Sequence, residues 1–469
     1  MPELTAWSAF DVLAAFRART LSPVEYLQAL LDRIEAAQPS VNALGDVYAD
    51  AAMRSAVQST DRYAGKDGGP RPLDGLPVAV KDETEVAGRR TTNGSLLWQD
   101  HVSESDDPIV ERLRDAGAYV HARTLTPEFS IPFWTHSRLW GVTRNPWNPA
   151  YDVGGSSGGS AAALAAGLTP VATGSDIGGS IRVPASCCGV VGFKPPHGRI
   201  AVAGLYGRDE WSCVGPLART VRDTAVVADA VCGAHPRDPM SLRQDMRVMP
   251  ADDDLPGMRI AFSPDLGDWP VTDEVAGACE SAAMALRERG AVVEHVNVVI
   301  LRAVVRTASD AHYGHLFAAD LDRATAGRTD ELNPYAMNWL AAIRDAAPPF
   351  LTGREAEVEI ADRLGPVLAE YDALMCPAFA VPAFTAGTDH TTVPFTLDGQ
   401  ELDTFHDLGL TEAFNAVNRC PVLCVPAGLA ASGVPIGVQI AGRTMDDPTV
   451  FRIGAALEAV RPWPLVAPI

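Results

Sequence analysis

Residues 152–195 read DVGGSSGGSAAALAAGLTPVATGSDIGGSIRVPASCCGVVGFKP, and this stretch decides the fold. It holds two glycine–serine turns, Gly154–Ser160 and Gly174–Ser180, each ending in Gly-Gly-Ser. Between them lies an Ala/Gly-rich segment, Ala161–Gly167, that predicts a close-packed helix, and a short apolar run, Pro170–Ala172, that predicts a buried strand. A flexible linker explains the glycines but not a strand and a packed helix between them. Glycine lets backbone approach a ligand, adopt positive φ and point successive N–H groups at an anion. Two such turns carrying hydroxyls suit an acyl-transfer site.

Working outward, the pattern is one of alternation. Leu76–Val80, Ala118–Ala122, Met258–Phe262, Val292–Val298, Ala373–Met375, Val422–Val425 and Ile436–Ile440 read as buried strands. Helical patterns fall between several of them, including Pro108–Ala116 and Thr272–Arg289. Ser22-Pro23-Val24-Glu25 is a capping box, followed by Leu27, Leu30, Leu31 and Ile34 at helical spacing, with Pro39 expected to end the segment. The alternation predicts an α/β fold, with one large α/β/α domain and a mixed central sheet flanked by helices. Within 1–469 we expect N-terminal helices over 1–65, a core over 66–235, a variable helical region over 236–370 and the rest of the core over 371–469. Residues 234–257 read as a surface loop.

Composition narrows the function. The formal charge of −21 repels phosphate backbones, so nucleic acid is not an expected partner. No signal peptide or membrane span is legible, and the eight scattered cysteines form neither a zinc pattern nor a disulfide framework. A reducing cytoplasm is the expected setting. There are three lysines, Lys66, Lys81 and Lys194, against 35 arginines. Arginine stays protonated in proteins, whereas a buried lysine can give up its proton and act as a base. Lys66 sits in a Gly/Asp-rich loop. Lys81 and Lys194 each close an apolar run and are the stronger candidates.

The stretch 152–195 resembles the signature of the amidase signature family, the Ser-cisSer-Lys hydrolases. Gly75–Asp82, Gly88 with Thr91–Ser95, Thr126–Phe129, Thr143–Trp147, Gly189–Pro195, Cys420–Pro426 and Gly437–Gln439 are similar to further family motifs, in order. The resemblance implies a base at Lys81, a bridging serine at Ser156 after a cis peptide bond, and a nucleophile at Ser180. It implies oxyanion-hole amides at Ile177, Gly178, Gly179 and Ser180, and a substrate pocket touching Ser130 and Ile131. The expected reaction is hydrolysis of a carboxylic amide, with esters also cleaved, through an acyl-Ser180 intermediate and with no cofactor or metal. The partner is then a small-molecule amide, and a homodimer is compatible with this reading. For Lys81 to accept a proton, its pKa must fall well below the ordinary ~10.4, which burial at a strand end can do.

Two rivals stand beside this reading. Gly154–Gly158 formally matches the G-x-S-x-G elbow of α/β-hydrolases, which would make Ser156 the nucleophile and call on a later histidine such as His390 or His406. The same triad would also serve the glutaminase subunit of an amidotransferase complex. Among the remaining residues, Ser157, Asp176 and Arg182 are expected to brace the turns, the last two as an ion pair. Lys194 reads as structural, Cys187 and Cys188 as small buried residues, and His312 and His315 as pocket or surface residues rather than metal ligands. Asn418 departs from the family's glycine. Tyr313, Phe317, Tyr335, Trp339 and Leu340 hint at an apolar entrance, and Phe133, Trp134 and Trp140 read as pocket or core.

Overall fold

The computed structural model describes residues 3–469 apart from 67, 244–246, 250–252, 394 and 398. Its centre is an eleven-stranded sheet. The strands are β1 (Leu44–Val47), β2 (Pro77–Lys81), β3 (Tyr119–Thr124), β4 (Val171–Asp176), β5 (Val191–Lys194), β6 (Cys213–Ala218), β7 (Arg259–Phe262), β8 (Val292–His295), β9 (Ala373–Pro377), β10 (Val422–Leu429) and β11 (Pro435–Gly442). They lie in the order β1-β3-β2-β4-β6-β5-β10-β11-β9-β7-β8. β2 runs parallel to both β3 and β4, and β9, β7 and β8 are parallel, while the strands between pair antiparallel. The sheet is therefore mixed, as expected.

Helices cover both faces because side chains alternate along each strand. In β10, Leu423 and Val425 enter a core with Val221, Cys279 and Phe451 from three helices on one face. Cys424 points the other way, into a core with Ala161–Ala166 and Ala185. That second face needs small residues. The helix Gly158–Ala165 is buried along its whole length, and a Cβ on Gly159 would come within 2.3 Å of the Leu125 amide nitrogen.

The capping box at Ser22 forms: Ser22 Oγ accepts from the Glu25 amide at 3.1 Å and Glu25 Oε2 accepts from the Ser22 amide at 2.8 Å. Ser22→Ala is expected to cost about 1 kcal/mol, read as a lower urea midpoint at unchanged slope. Pro39 does not end this helix, which runs from Pro23 to Val41 and closes on Asn42 in the left-handed conformation. A proline this close to the end deprives one carbonyl of its donor while the Asn42 amide still reaches Gln38 O at 2.8 Å. The strand expected over 292–298 stops at His295, although Val296 N still reaches Phe262 O at 3.0 Å. Of the loop expected over 234–257, residues 244–246 and 250–252 lie outside the described ones. Among the described residues no helix is long and apolar enough to cross a membrane.

Candidate active site

Three neighbouring elements assemble the site: the end of β2, the turn before the helix Gly158–Ala165, and the turn after β4. Lys81 is the last residue of β2, and its side chain is fully buried. Its main-chain N–H donates to Thr173 Oγ1 of β4 at 3.1 Å, which fixes the strand end. Lys81 Nζ lies 2.7 Å from Ser156 Oγ, 2.9 Å from Ser175 Oγ and 3.1 Å from Glu83 Oε2. Burial pulls the pKa of the Lys81 amine below its ordinary value, and the charges of Glu83 and Asp176 oppose that shift.

The Gly155–Ser156 peptide bond is cis, as the resemblance implied. Gly154 has φ +74°, and a Cβ on Gly155 would strike Pro132 O at 2.4 Å, so neither position has room for a side chain. Asp152 secures the approach by accepting from the amides of Thr135 (3.1 Å) and Gly154 (2.9 Å). Burial pushes its pKa up to about 8. The two serine turns are stitched together: the Ser157 amide donates to Ser180 O at 3.0 Å, and Ser157 Oγ accepts from the Ser175 amide at 3.3 Å.

After β4 the chain turns sharply through Ile177–Ser180. Among the described residues, the amides of Ile177, Gly178, Gly179 and Ser180 have no hydrogen-bond acceptor within the protein. Four such donors on one turn are left free to meet an anion. Gly179 has φ +133°, and a Cβ there would lie 2.1 Å from Thr411 Oγ1, which itself donates to Gly178 O at 2.5 Å. Asp176 and Arg182 form an ion pair flanking the turn, at 2.8 and 2.9 Å with both side chains fully buried. Arg182 also donates to Thr411 O (2.9 Å), Gln439 Oε1 (3.0 Å) and Asn415 Oδ1 (2.7 Å), so all five guanidinium N–H groups are satisfied.

Ser180 faces a narrow pocket of about 20 Å³, bounded by Ser130, Ile131, Phe133, Ile177, Gly178, Tyr313, Phe317, Trp339 and His406. The space is that of one or two waters. A roomier cavity of about 390 Å³ adjoins it, sharing Ser130, Ile177 and Phe317 and reaching Glu83 and Ser175. A larger hollow of about 750 Å³ between Arg17, Glu111 and Met249 holds none of these residues. Phe129 and Ser130 both have positive φ (52° and 59°), so backbone strain sits where the two cavities meet.

Several expectations divide here. Of the aromatic set, Tyr313, Phe317 and Trp339 wall the pocket. Tyr335 and Leu340 instead lie in the core, where the Tyr335 hydroxyl accepts from Glu128 N at 2.6 Å and donates to His136 O at 2.9 Å. Trp134 is also core, and Trp140 donates to Thr92 Oγ1 at 3.2 Å. Lys194 makes structural contacts: its buried amine contacts Asn418 Oδ1 and donates to Cys420 O at 3.1 Å. Asn418 thus has its own task, and its amide donates onward to Glu210 O (3.0 Å) and Trp211 O (2.8 Å). His312 stacks on Trp211 with ring centres 4.8 Å apart, and no group of three metal-ligating side chains occurs among the described residues.

Sequence reading missed Glu83, Ser175 and the pair His406–Glu412, in which His406 Nδ1 lies 2.6 Å from Glu412 Oε1. His406 reaches the pocket, but its partner is that carboxylate. Among the described residues neither it nor His390 bonds Ser156, as the elbow reading requires.

A family model described as Amidase matches residues 25–451, and with the 34% identity below it places the chain in the amidase signature family. Over 97% of its length, and 96% of the relative's, the chain is 34% identical to an acylamidase of Rhodococcus erythropolis. It is 32% identical to a glutamyl-tRNA(Gln) amidotransferase A subunit of Thermosynechococcus vestitus, covering 94% of this chain and 95% of that one. A bacterial aryl acylamidase of the amidase signature family superposes with a TM-score of 0.90 at 27% identity, covering 97% of this chain and 96% of the other. The chain is accordingly an amidase-family enzyme of carbon–nitrogen chemistry with an amidase signature fold.

Proposed function

We propose that the protein hydrolyses a small-molecule carboxylic amide through an acyl-Ser180 intermediate, with Ser156 as proton relay and Lys81 as base. The supporting observation is Lys81 Nζ, buried and 2.7 Å from Ser156 Oγ, beside a turn of unpaired amides that carries Ser180. Lys81 takes the Ser156 proton, Ser156 takes that of Ser180, and the freed oxygen attacks the carbonyl carbon. The oxyanion settles among the amides of Ile177–Ser180; one such donor is typically worth ~3–4 kcal/mol in the transition state. Ser156 then protonates the leaving nitrogen and recovers a proton from Lys81. Water attacks the acyl-enzyme by the same route.

The proton returns from the Lys81 side, so the leaving amine belongs in the cavity that reaches Ser175 and Glu83. The acyl group belongs in the narrow aromatic pocket. Trp339→Ala is expected to open that pocket: kcat/KM for bulky arylacyl amides should rise relative to acetyl-sized ones, by roughly tenfold or more. A ratio that does not move would place Trp339 outside the substrate's reach.

The similarity to the amidotransferase relative favours one second reading, a glutaminase that passes ammonia to a partner. A panel of aryl, alkyl and amino-acid amides decides between them. The purified chain should release amine or ammonia from several members with no partner protein present. Turnover of glutamine alone, and only with a partner, would support the second reading instead. The eight cysteines, all free and buried, are compatible with a reducing cytoplasm.

A further inference from the structure

Lys81 has three partners, and one of them carries a charge. Glu83 Oε2 stands 3.1 Å from Lys81 Nζ, with the Glu83 side chain 18% exposed at the edge of the larger cavity. A neutral amine has one lone pair and two N–H groups. With Ser156 donating into the lone pair, the two N–H groups meet Ser175 and Glu83. An ammonium has three N–H groups, and the same three oxygens receive them. Lys81 can therefore gain or lose a proton with no heavy atom moving, a preorganised arrangement of the kind that lowers barriers.

We propose that Glu83 is a positioning residue that holds, as counter-charge, the proton Lys81 collects when Ser180 is activated. The inference rests on the reading of Lys81 as base. Without a counter-charge, an ammonium formed at a fully buried site would be strongly disfavoured. Glu83 is itself held in place, since Ser130 Oγ donates to Oε2 and Thr126 Oγ1 lies 3.0 Å from Ser130 Oγ. Burial pushes the Glu83 carboxyl up, while the charge that Lys81 carries once protonated and the hydroxyls of Ser130 and Ser175 pull it below its ordinary value.

The other charges nearby are committed elsewhere or lie farther off. Asp176 is locked to Arg182. Asp106 faces Arg114 at 3.1 Å and Glu85 faces His101 at 3.6 Å. Asp107, Asp320 and Arg237 line the same cavity without an ion-pair contact to Lys81 among the described residues. Tyr206 faces Glu83 across that cavity, and burial raises its pKa, so it stays neutral.

A carboxylate beside an amine favours the charged amine, so removing it makes Lys81 lose its proton at lower pH. It also leaves the ammonium of the transition state without its partner.

The rate of Ser180 labelling by a fluorophosphonate, measured against pH, reads both effects without knowledge of the substrate. Glu83→Gln is expected to move the acid limb to lower pH and to lower the plateau roughly ten- to a hundredfold. Glu83→Asp, with the charge set back by one methylene, should fall between glutamine and wild type in its limb. A glutamine limb that coincides with wild type overturns the proposal, whatever happens to the plateau. Should the glutamine variant fail to fold, an aspartate limb at the wild-type position does the same. Failure of the underlying reading is distinct: wild type would then escape labelling at Ser180, or Lys81→Ala would label as fast as wild type.

Discussion

Ser180→Ala is expected to abolish amide turnover, by roughly 10⁴-fold or more, and to eliminate fluorophosphonate labelling, with folding unchanged. The substitution removes one oxygen from a site already sealed by glycine backbone and aromatic rings, so it introduces no clash. Ser156→Ala and Lys81→Ala should reach a similar floor, because a relay broken at any point leaves the nucleophile protonated. The three losses should not add, since each disables the same proton path. Intact-mass measurement after labelling, followed by peptide mapping, checks the outcome. A covalent adduct on Ser156 in the alanine variant would restore the elbow reading, although no histidine bonds that serine among the described residues.

The second large effect concerns stability. Arg182→Leu is expected to cost about 3–5 kcal/mol, because it strands the fully buried Asp176 carboxylate and takes the Arg182 donors from Thr411 O, Gln439 Oε1 and Asn415 Oδ1. Adding Asp176→Leu to that background should recover part of the loss, a signature that separates a stranded charge from a simple cavity. The pH dependence has a definite sign. Burial raises the Asp176 carboxyl, but Arg182 and Asn415 more than compensate, leaving its folded pKa depressed. Its contribution is therefore complete above the unfolded value of ~3.9 and disappears as pH falls through the folded one. Urea midpoints of wild type and Arg182→Leu should converge in acid. A gap that persists at low pH would assign the cost to packing alone.

Much of the fold and the triad is legible in the sequence, for local reasons. Strands such as Val422–Leu429 announce themselves as apolar runs because both faces are covered. The Gly-Gly-Ser turns announce themselves because no other residue fits beside Pro132 O or Thr411 Oγ1. What escapes lies far off in sequence or hides in an ordinary residue. His406 reaches the pocket, with Glu412 as its partner, from more than two hundred positions beyond Ser180, in a stretch with no periodic pattern. The aromatic residues of 313–340 look alike in sequence, and only the packing separates pocket-walling Trp339 from core Tyr335. Glu83 escapes for a different reason: it lies in the turn that follows β2, where the Thr84 amide donates to Lys81 O at 3.0 Å, so no strand period pairs it with Lys81. Pro39 misleads because a helix tolerates proline where few hydrogen bonds remain to lose.

The scarcity of lysine has a practical corollary. Lys81 and Lys194 are wholly enclosed, while Lys66 lies 69% open to solvent beside Asp61. Succinimidyl esters and aldehydes should therefore find one side-chain amine on the folded enzyme, besides any α-amino group. Tethering to a resin or a dye would fix a nearly uniform orientation. Appearance of further conjugates on warming would report loosening of the interior.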